Sequence, residues 1–374
     1  MKLVPQTAPY IRKNVSVKRM MLDVIVALMP VTLFAVIQNG WGAIYVLLIS
    51  LATMVLTELV AHGIMHWPED MKIKEVFTKE GFLKLKSQYT VNNITASVIS
   101  GLIFALILPA HCNWYVVFIG ALFGMLFGKM LFGGLGSNIF NPAAVGRIFT
   151  GICFGSQISE AYEKSEYFIS LTDATVSGTP LVNWKYNLPE IILGQIPGCM
   201  GEVSVLMILI GAIYLFARRS GDLRSALSYF LSFAIIMLVV NVIDATMFAS
   251  PDTNAASYAM DKWLKAIFSG GALFAAVYMI TDPITSPITK FGRVLYGILA
   301  GCITALIRVV GSYPEGVAFS ILIVNMLVPT IDYFMRGKPN TYTWKQIVLA
   351  TSIILVVGIV VAVAKGGWLA WKII

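Results

Sequence analysis

Long uninterrupted apolar runs constrain this chain more than any other feature. They fall near residues 21 to 38, 43 to 64, 94 to 110, 114 to 133, 142 to 156, 203 to 217, 227 to 249, 265 to 281, 293 to 311, 317 to 335 and 346 to 365. A helix needs about 20 apolar residues to cross a bilayer, whereas a barrel strand needs about 10 that alternate in polarity. These runs do not alternate, so the chain is predicted to be an all-α polytopic membrane protein. Composition agrees, with 58% hydrophobic and only 12% charged residues where a soluble domain carries about a quarter charged. A soluble globular enzyme, a disordered chain and a disulfide scaffold are thereby excluded. The runs at 142 to 156 and 203 to 217 are short for a crossing, and the chain holds 31 Gly and 15 Pro. Both features predict broken or tilted helices around a cavity, because irregular backbone survives at membrane depth only where protein or water satisfies it.

The net charge of +8 would suggest a nucleic-acid partner in a soluble chain. Here it is better read as topology, since basic loops stay on the cytoplasmic side of a membrane, and no nucleic acid is expected. With the N-terminus inside and eleven crossings, 20 of the 27 Lys and Arg fall inside and 7 outside. The expected organisation is a cytoplasmic tail at 1–20, a first membrane half of five helices at 21–156 and an extracytoplasmic loop at 157–202. A second membrane half of five helices follows at 203–335, then an extension at 336–374 with an eleventh helix. Arg12, Lys13, Lys18 and Arg19 precede the first apolar run and no small-residue cleavage site follows it, so a cleaved signal peptide is not expected.

Chemistry must come from a few polar residues. No phosphate-binding loop with Lys or nucleophile elbow is present, and His62 and His66, four apart, have no further residues to complete a ligand set, so no catalytic or metal-ligating residue is assigned. Cys112, Cys153, Cys199 and Cys302 are scattered and read as packing residues. Ionisable groups in apolar segments are expensive and therefore informative. Glu58, Asp244, Asp282 and Asp332 are such groups, suited to line a cation path or to cap a helix end. Two helix breaks stand out. Gly133-Gly-Leu-Gly-Ser-Asn138, followed by Asn141, Pro142 and Arg147, exposes backbone amides that suit an anion or the polar edge of a cofactor. Thr281-Asp282-Pro283-Ile-Thr285-Ser286-Pro287 places hydroxyls beside a carboxylate. Each break follows a Gly-Ala-Leu-Phe segment, at Gly120 and Gly271, an echo compatible with duplication or with chance. In the outer loop, Gly178 and Pro180 flank Thr179, which leaves its hydroxyl sterically open in a turn.

Four ordered blocks carry a resemblance to a known family. Ala8-Pro-Tyr-Ile-Arg12 with Ser16 to Val24 opens the chain, and Gly134 to Asn138 with Phe140 to Arg147 follows. Thr281 to Pro287, then Tyr313 to Phe319 with Asn325, complete the set. Together they resemble the D subunit of the Rnf complex, a family closely similar to the B subunit of the sodium-pumping NADH:quinone oxidoreductase.

The resemblance implies ten core transmembrane helices, with the run after Trp344 as an addition, and FMN carried on a threonine through a phosphoester bond. The family's attachment motif runs Asp, small residues, Ser or Thr, Gly, Ala and the modified Thr. Here Asp173, Ser177, Gly178 and Thr179 keep the spacing from Asp to Thr, but the Ala is missing. Thr179 is the expected attachment residue, with Thr175 as the alternative. A second, noncovalent flavin, often riboflavin, is also implied, and Asn141, Arg147, Thr281, Asp282 and Ser286 are the candidates to line its site. The implied role is a subunit of a redox-driven ion pump in a bacterial or archaeal cytoplasmic membrane, not catalytic alone. It would relay electrons between ferredoxin and NAD⁺ coupled to Na⁺ or H⁺ export, with Glu58 and Asp282 as ion-path candidates. Its expected partners are the other membrane and peripheral iron-sulfur or flavin subunits, and an FMN transferase for maturation. A B-type subunit of the quinone-reducing pump, or a non-redox transporter or channel, are the alternatives.

Overall fold

The computed structural model describes residues 16–65, 67, 89–163, 188–194, 198–202, 204–248, 255–311, 316–335 and 343–373. Among these residues there are helices and turns but no strands. In chain order the helices are α1 (Val17–Met65), α2 (Val91–Leu106), α3 (Trp114–Gly128), α4 (Pro142–Cys153), α5 (Gly155–Glu163), α6 (Leu188–Leu193) and α7 (Val205–Ala217). Then follow α8 (Leu223–Phe248), α9 (Ala255–Phe268), α10 (Ala272–Tyr278), α11 (Lys290–Val310), α12 (Gly316–Met335) and α13 (Trp344–Ile373). Six are long and apolar enough to cross a membrane, while α2, α4 and α7 are shorter apolar helices. The protein is an all-α, multi-pass membrane protein.

Helix α1 holds the first two apolar runs and reverses at Gly40, where φ is 56° and ψ is −133°. A straight helix would separate Met21 from Glu58 by about 55 Å at 1.5 Å per residue. Met21 nevertheless lines the same cavity as Lys129, which is ion-paired to Glu58. The two limbs therefore run back beside each other, and only glycine takes that φ without a Cβ penalty. Ser50 on the second limb donates to the Gly101 carbonyl of α2 at 2.7 Å. Asp23 on the first limb accepts from Ser220 at 2.6 Å and pairs with Arg218 at 3.2 Å, which ties α1 to the end of α7.

Close helix crossings are made with glycine, as membrane packing favours, because lipid-exposed apolar surface provides little drive for helices to associate. A Cβ on Gly124 would lie 2.5 Å from the Pro142 carbonyl, and one on Gly128 would lie 2.7 Å from Pro142 Cα. These contacts lock α3 against α4. In the second half, Gly297 and Gly301 of α11 face Ser225, Ser228 and Tyr229 of α8 in the same manner.

The run at 265 to 281, expected as one helix, is two: α9 ends at Phe268 and α10 starts at Ala272. Gly270 between them has φ of 73°, incompatible with a continuing right-handed helix. The extension at 336–374 contains α13, and Lys365 on α13 pairs with Asp244 on α8 at 2.6 Å. Asp244 is thus a docking residue for the last helix. Side chains beyond Lys365, Trp368 and Trp371 among them, lie outside the described residues.

Candidate functional site

Two breaks in the helical backbone build the site. Helix α3 ends at Gly128, a single 3₁₀ turn spans Met130–Phe132, and Gly133, Gly134 and Gly136 follow with φ of 109°, 86° and 91°. Three left-handed residues so close together let the chain turn back sharply, and a Cβ would strain each position. Asn141 then caps α4 by accepting from the Ala143 amide at 3.0 Å. Pro142 takes the first helical position, where a missing N–H is tolerated. The amide of Asn325 on α12, oriented by its network to donate to Tyr296 Oη at 2.7 Å, accepts from the Asn141 backbone amide at 3.3 Å.

The second break follows α10. Thr281 donates to the Val277 carbonyl at 2.6 Å. Asp282 accepts from the Ile284 amide and the Thr285 hydroxyl, both at 3.1 Å. Asp332 of α12 accepts from the Ile288 amide at 3.0 Å. Arg293 donates from Nε to the Pro287 carbonyl at 2.9 Å and pairs with Asp222 through its Nη1. Asp332 is therefore a cap reaching across from a neighbouring helix.

The two breaks face each other across one cavity of about 680 Å³, part of it open to solvent. Ile99, Ile103, Leu135 and Ile284 supply apolar wall, while Lys129, Asn138, Asn141, Thr281 and Asp282 supply polar groups. Asn138 donates to the Phe140 carbonyl at 3.3 Å, but its Oδ1 is buried with no hydrogen-bond partner among the described residues. A buried acceptor left unmade is unfavourable by roughly 1–3 kcal/mol, so this atom points to a ligand with a donor. Lys129 Nζ lies 2.7 Å from Glu58 Oε1, and their side chains are 3% and 1% exposed.

The candidates of the sequence divide at this cavity. Asn141, Thr281 and Asp282 line it. Ser286 is buried yet off its wall. Arg147 is neither a loop charge nor beside the Gly-rich turn. Five residues into α4 it is carried about 7.5 Å along the helix axis, where it is buried and donates to Tyr162 Oη at 3.2 Å and to Cys199 Sγ at 3.8 Å. Glu58 is as deeply buried as an isolated intramembrane carboxylate would be, but it has a lysine partner. In the sequence, Lys129 stands out only as one of the basic residues that set topology and Asn138 only as part of its turn. The available signal is a single lysine, Gly128-Lys129-Met130, inside a strongly apolar run. Asp173, Thr175, Ser177, Gly178 and Thr179 lie outside the described residues. In the turn before α3, burial pushes the Cys112 thiol up to about 11, which keeps it a neutral packing group at physiological pH.

Residues 4–342 match the model of the NQR2, RnfD, RnfE family. The chain belongs to that family. The match stops just before α13. Among members, the chain is 31% identical to the D subunit of the Na(+)-translocating ferredoxin:NAD(+) oxidoreductase complex of Acetobacterium woodii, over 90% of this chain and 95% of that protein. It is 29% identical to the D subunit of the ion-translocating oxidoreductase complex of Stutzerimonas stutzeri, over 86% and 92%. Identity to the B subunit of the Na(+)-translocating NADH-quinone reductase of Chromohalobacter salexigens is 36% but covers 63% of this chain and 57% of that protein.

Proposed function

We propose that this protein is the D-type membrane subunit of an ion-translocating ferredoxin:NAD⁺ oxidoreductase, relaying electrons through flavin in a prokaryotic cytoplasmic membrane. Coverage of 95% of the ferredoxin-linked relative, against 57% of the quinone-linked one, favours this reading over the B-type protein. The single observation that favours redox chemistry over a plain transporter is the cavity between the two breaks. It combines apolar walls with an orphaned buried acceptor and a buried cation, a combination that suits a planar ring with a polar edge better than it suits a continuous ion path.

A noncovalent flavin, such as riboflavin, fits this donor set. When bound, it would supply the ability to accept one electron or two. Asn138 and Lys129 would contact its polar edge, Asn141 and Thr281 would line it, and Ile99, Ile103 and Leu135 would keep water from it. Asp282 and the caps around it would hold the second wall in place. FMN attached to Thr179, in the loop we assign to the outer face, would be the other carrier, installed by an FMN transferase acting on that side. The inward lean of Lys and Arg supports the assignment. The relatives are named Na(+)-translocating or ion-translocating, and this agrees with coupling to Na⁺ or H⁺ export. Each charge moved against 100 mV requires about 2.3 kcal/mol, and an ion using Glu58 must first displace Lys129.

The test is flavin fluorescence of the denatured chain after coexpression with an FMN transferase. Wild type should fluoresce on a gel and Thr179→Ala should be dark. A fluorescent Thr179→Ala chain would move the attachment elsewhere, Thr175 first, and a dark wild type would remove covalent flavin from the reading.

A further inference from the structure

The Glu58–Lys129 pair is incompletely satisfied on both sides. An ammonium has three donors, and among the described residues Glu58 is the hydrogen-bond partner of Lys129. Glu58 Oε2 is itself buried without a partner among those residues. In a low-dielectric interior a half-satisfied polar pair is a liability, and a pair of hydrophobic residues would serve packing as well or better. The lysine is also at the wall of the cavity, while its carboxylate reaches it from the second limb of α1. The carboxylate on the opposite wall, Asp282, is already occupied by its own turn. A ligand in the cavity would therefore meet one positive charge, balanced by Glu58 from behind and by the turn-held Asp282 on the opposite wall.

We propose that Lys129 is a positioning cation that sets how firmly a flavin in this cavity holds added electrons, and that Glu58, behind it, attenuates that charge. The proposal rests on the flavin reading above. A fixed positive charge favours the ligand form with more negative charge, and the effect is large where water is excluded. Removing the lysine and removing the carboxylate must then act in opposite directions, which no packing role would produce.

The experiment is a redox titration of the assembled, detergent-purified complex. The cavity signal is taken as the difference from a Ser100→Trp complex, in which the bulky ring enters the cavity. Lys129→Gln should reduce the preference for reduced over oxidised flavin by roughly tenfold, a potential lower by about 59 mV for one electron. Glu58→Gln, which keeps the side-chain volume, should raise the potential, the double variant should return toward wild type, and Lys129→Arg should stay near it. Should Lys129→Gln fail to assemble, the direction of the Glu58→Gln shift decides alone. Shifts of the same sign in the two single variants, or no shift from Glu58→Gln, would overturn the proposal. If Ser100→Trp keeps its full complement of acid-released flavin, the flavin reading of this cavity falls first and the proposal with it.

Discussion

The two helix breaks do similar topological work with different chemistry. The break after α10 consumes its own polar groups: Asp282 holds Ile284 and Thr285, Asp332 holds Ile288, and Arg293 holds Pro287. The break after α3 turns by glycine, with three left-handed residues at Gly133, Gly134 and Gly136. It therefore has side-chain groups to spare, namely the Asn138 acceptor and the Lys129 donors. A turn built from backbone freedom leaves polar side chains for a ligand, whereas a turn built from side-chain caps is a wall. On this reading the Gly-rich break recognises and the Asp-Pro break supports.

The comparison can be broken first at its foundation. Gly124→Leu should have the largest effect, because its Cβ would lie 2.5 Å from the Pro142 carbonyl and overpacking of this kind costs typically about 1–3 kcal/mol, sometimes more. The expected result is a marked fall in the thermal midpoint and in the yield of assembled complex. Gly151→Leu on the facing helix α4 meets open space and should leave both unchanged, and equal losses from the two variants would refute the close-packing argument. Asn138→Ala comes next. Losing the orphaned acceptor should weaken retention of noncovalent flavin by about 1–3 kcal/mol, roughly fivefold to 150-fold, as measured by flavin released from the purified complex on dilution. Asp282→Asn should have the smallest effect. Its amide oxygen can still accept from Ile284, so retention and stability should change by less than about 1 kcal/mol. If Asp282→Asn weakened flavin retention more than Asn138→Ala, the roles of the two breaks would be reversed. Sodium-dependent activity of the same variant then tests Asp282 as an ion-path residue separately from its role as a wall.

Much of the helical plan is legible in the sequence because length and uninterrupted hydropathy are local properties. Runs such as 227 to 249 and 317 to 335 correspond to α8 and α12 within a few residues. The run at 265 to 281 misleads because Ser269-Gly270-Gly271 is small enough to look like helix, and hydropathy does not register a positive φ. Arg147 misleads for another reason. Beside a Gly-rich turn in sequence, it belongs in space to the next level of the bundle, since a helix moves each residue about 1.5 Å along its axis and rotates it away.

By itself the sequence determined the all-α membrane class, the two breaks and the family. Each of these depends on composition, on periodicity or on a contiguous motif. Only the tertiary structure decided that the two breaks, about 150 residues apart, share one cavity. It also decided that Lys129 is held by a glutamate 71 positions earlier in the chain. Such pairings are set by the reversal at Gly40 and by the glycine contact between α3 and α4. Which side chains those close approaches leave facing one another is a property of the packed bundle, not of any single segment.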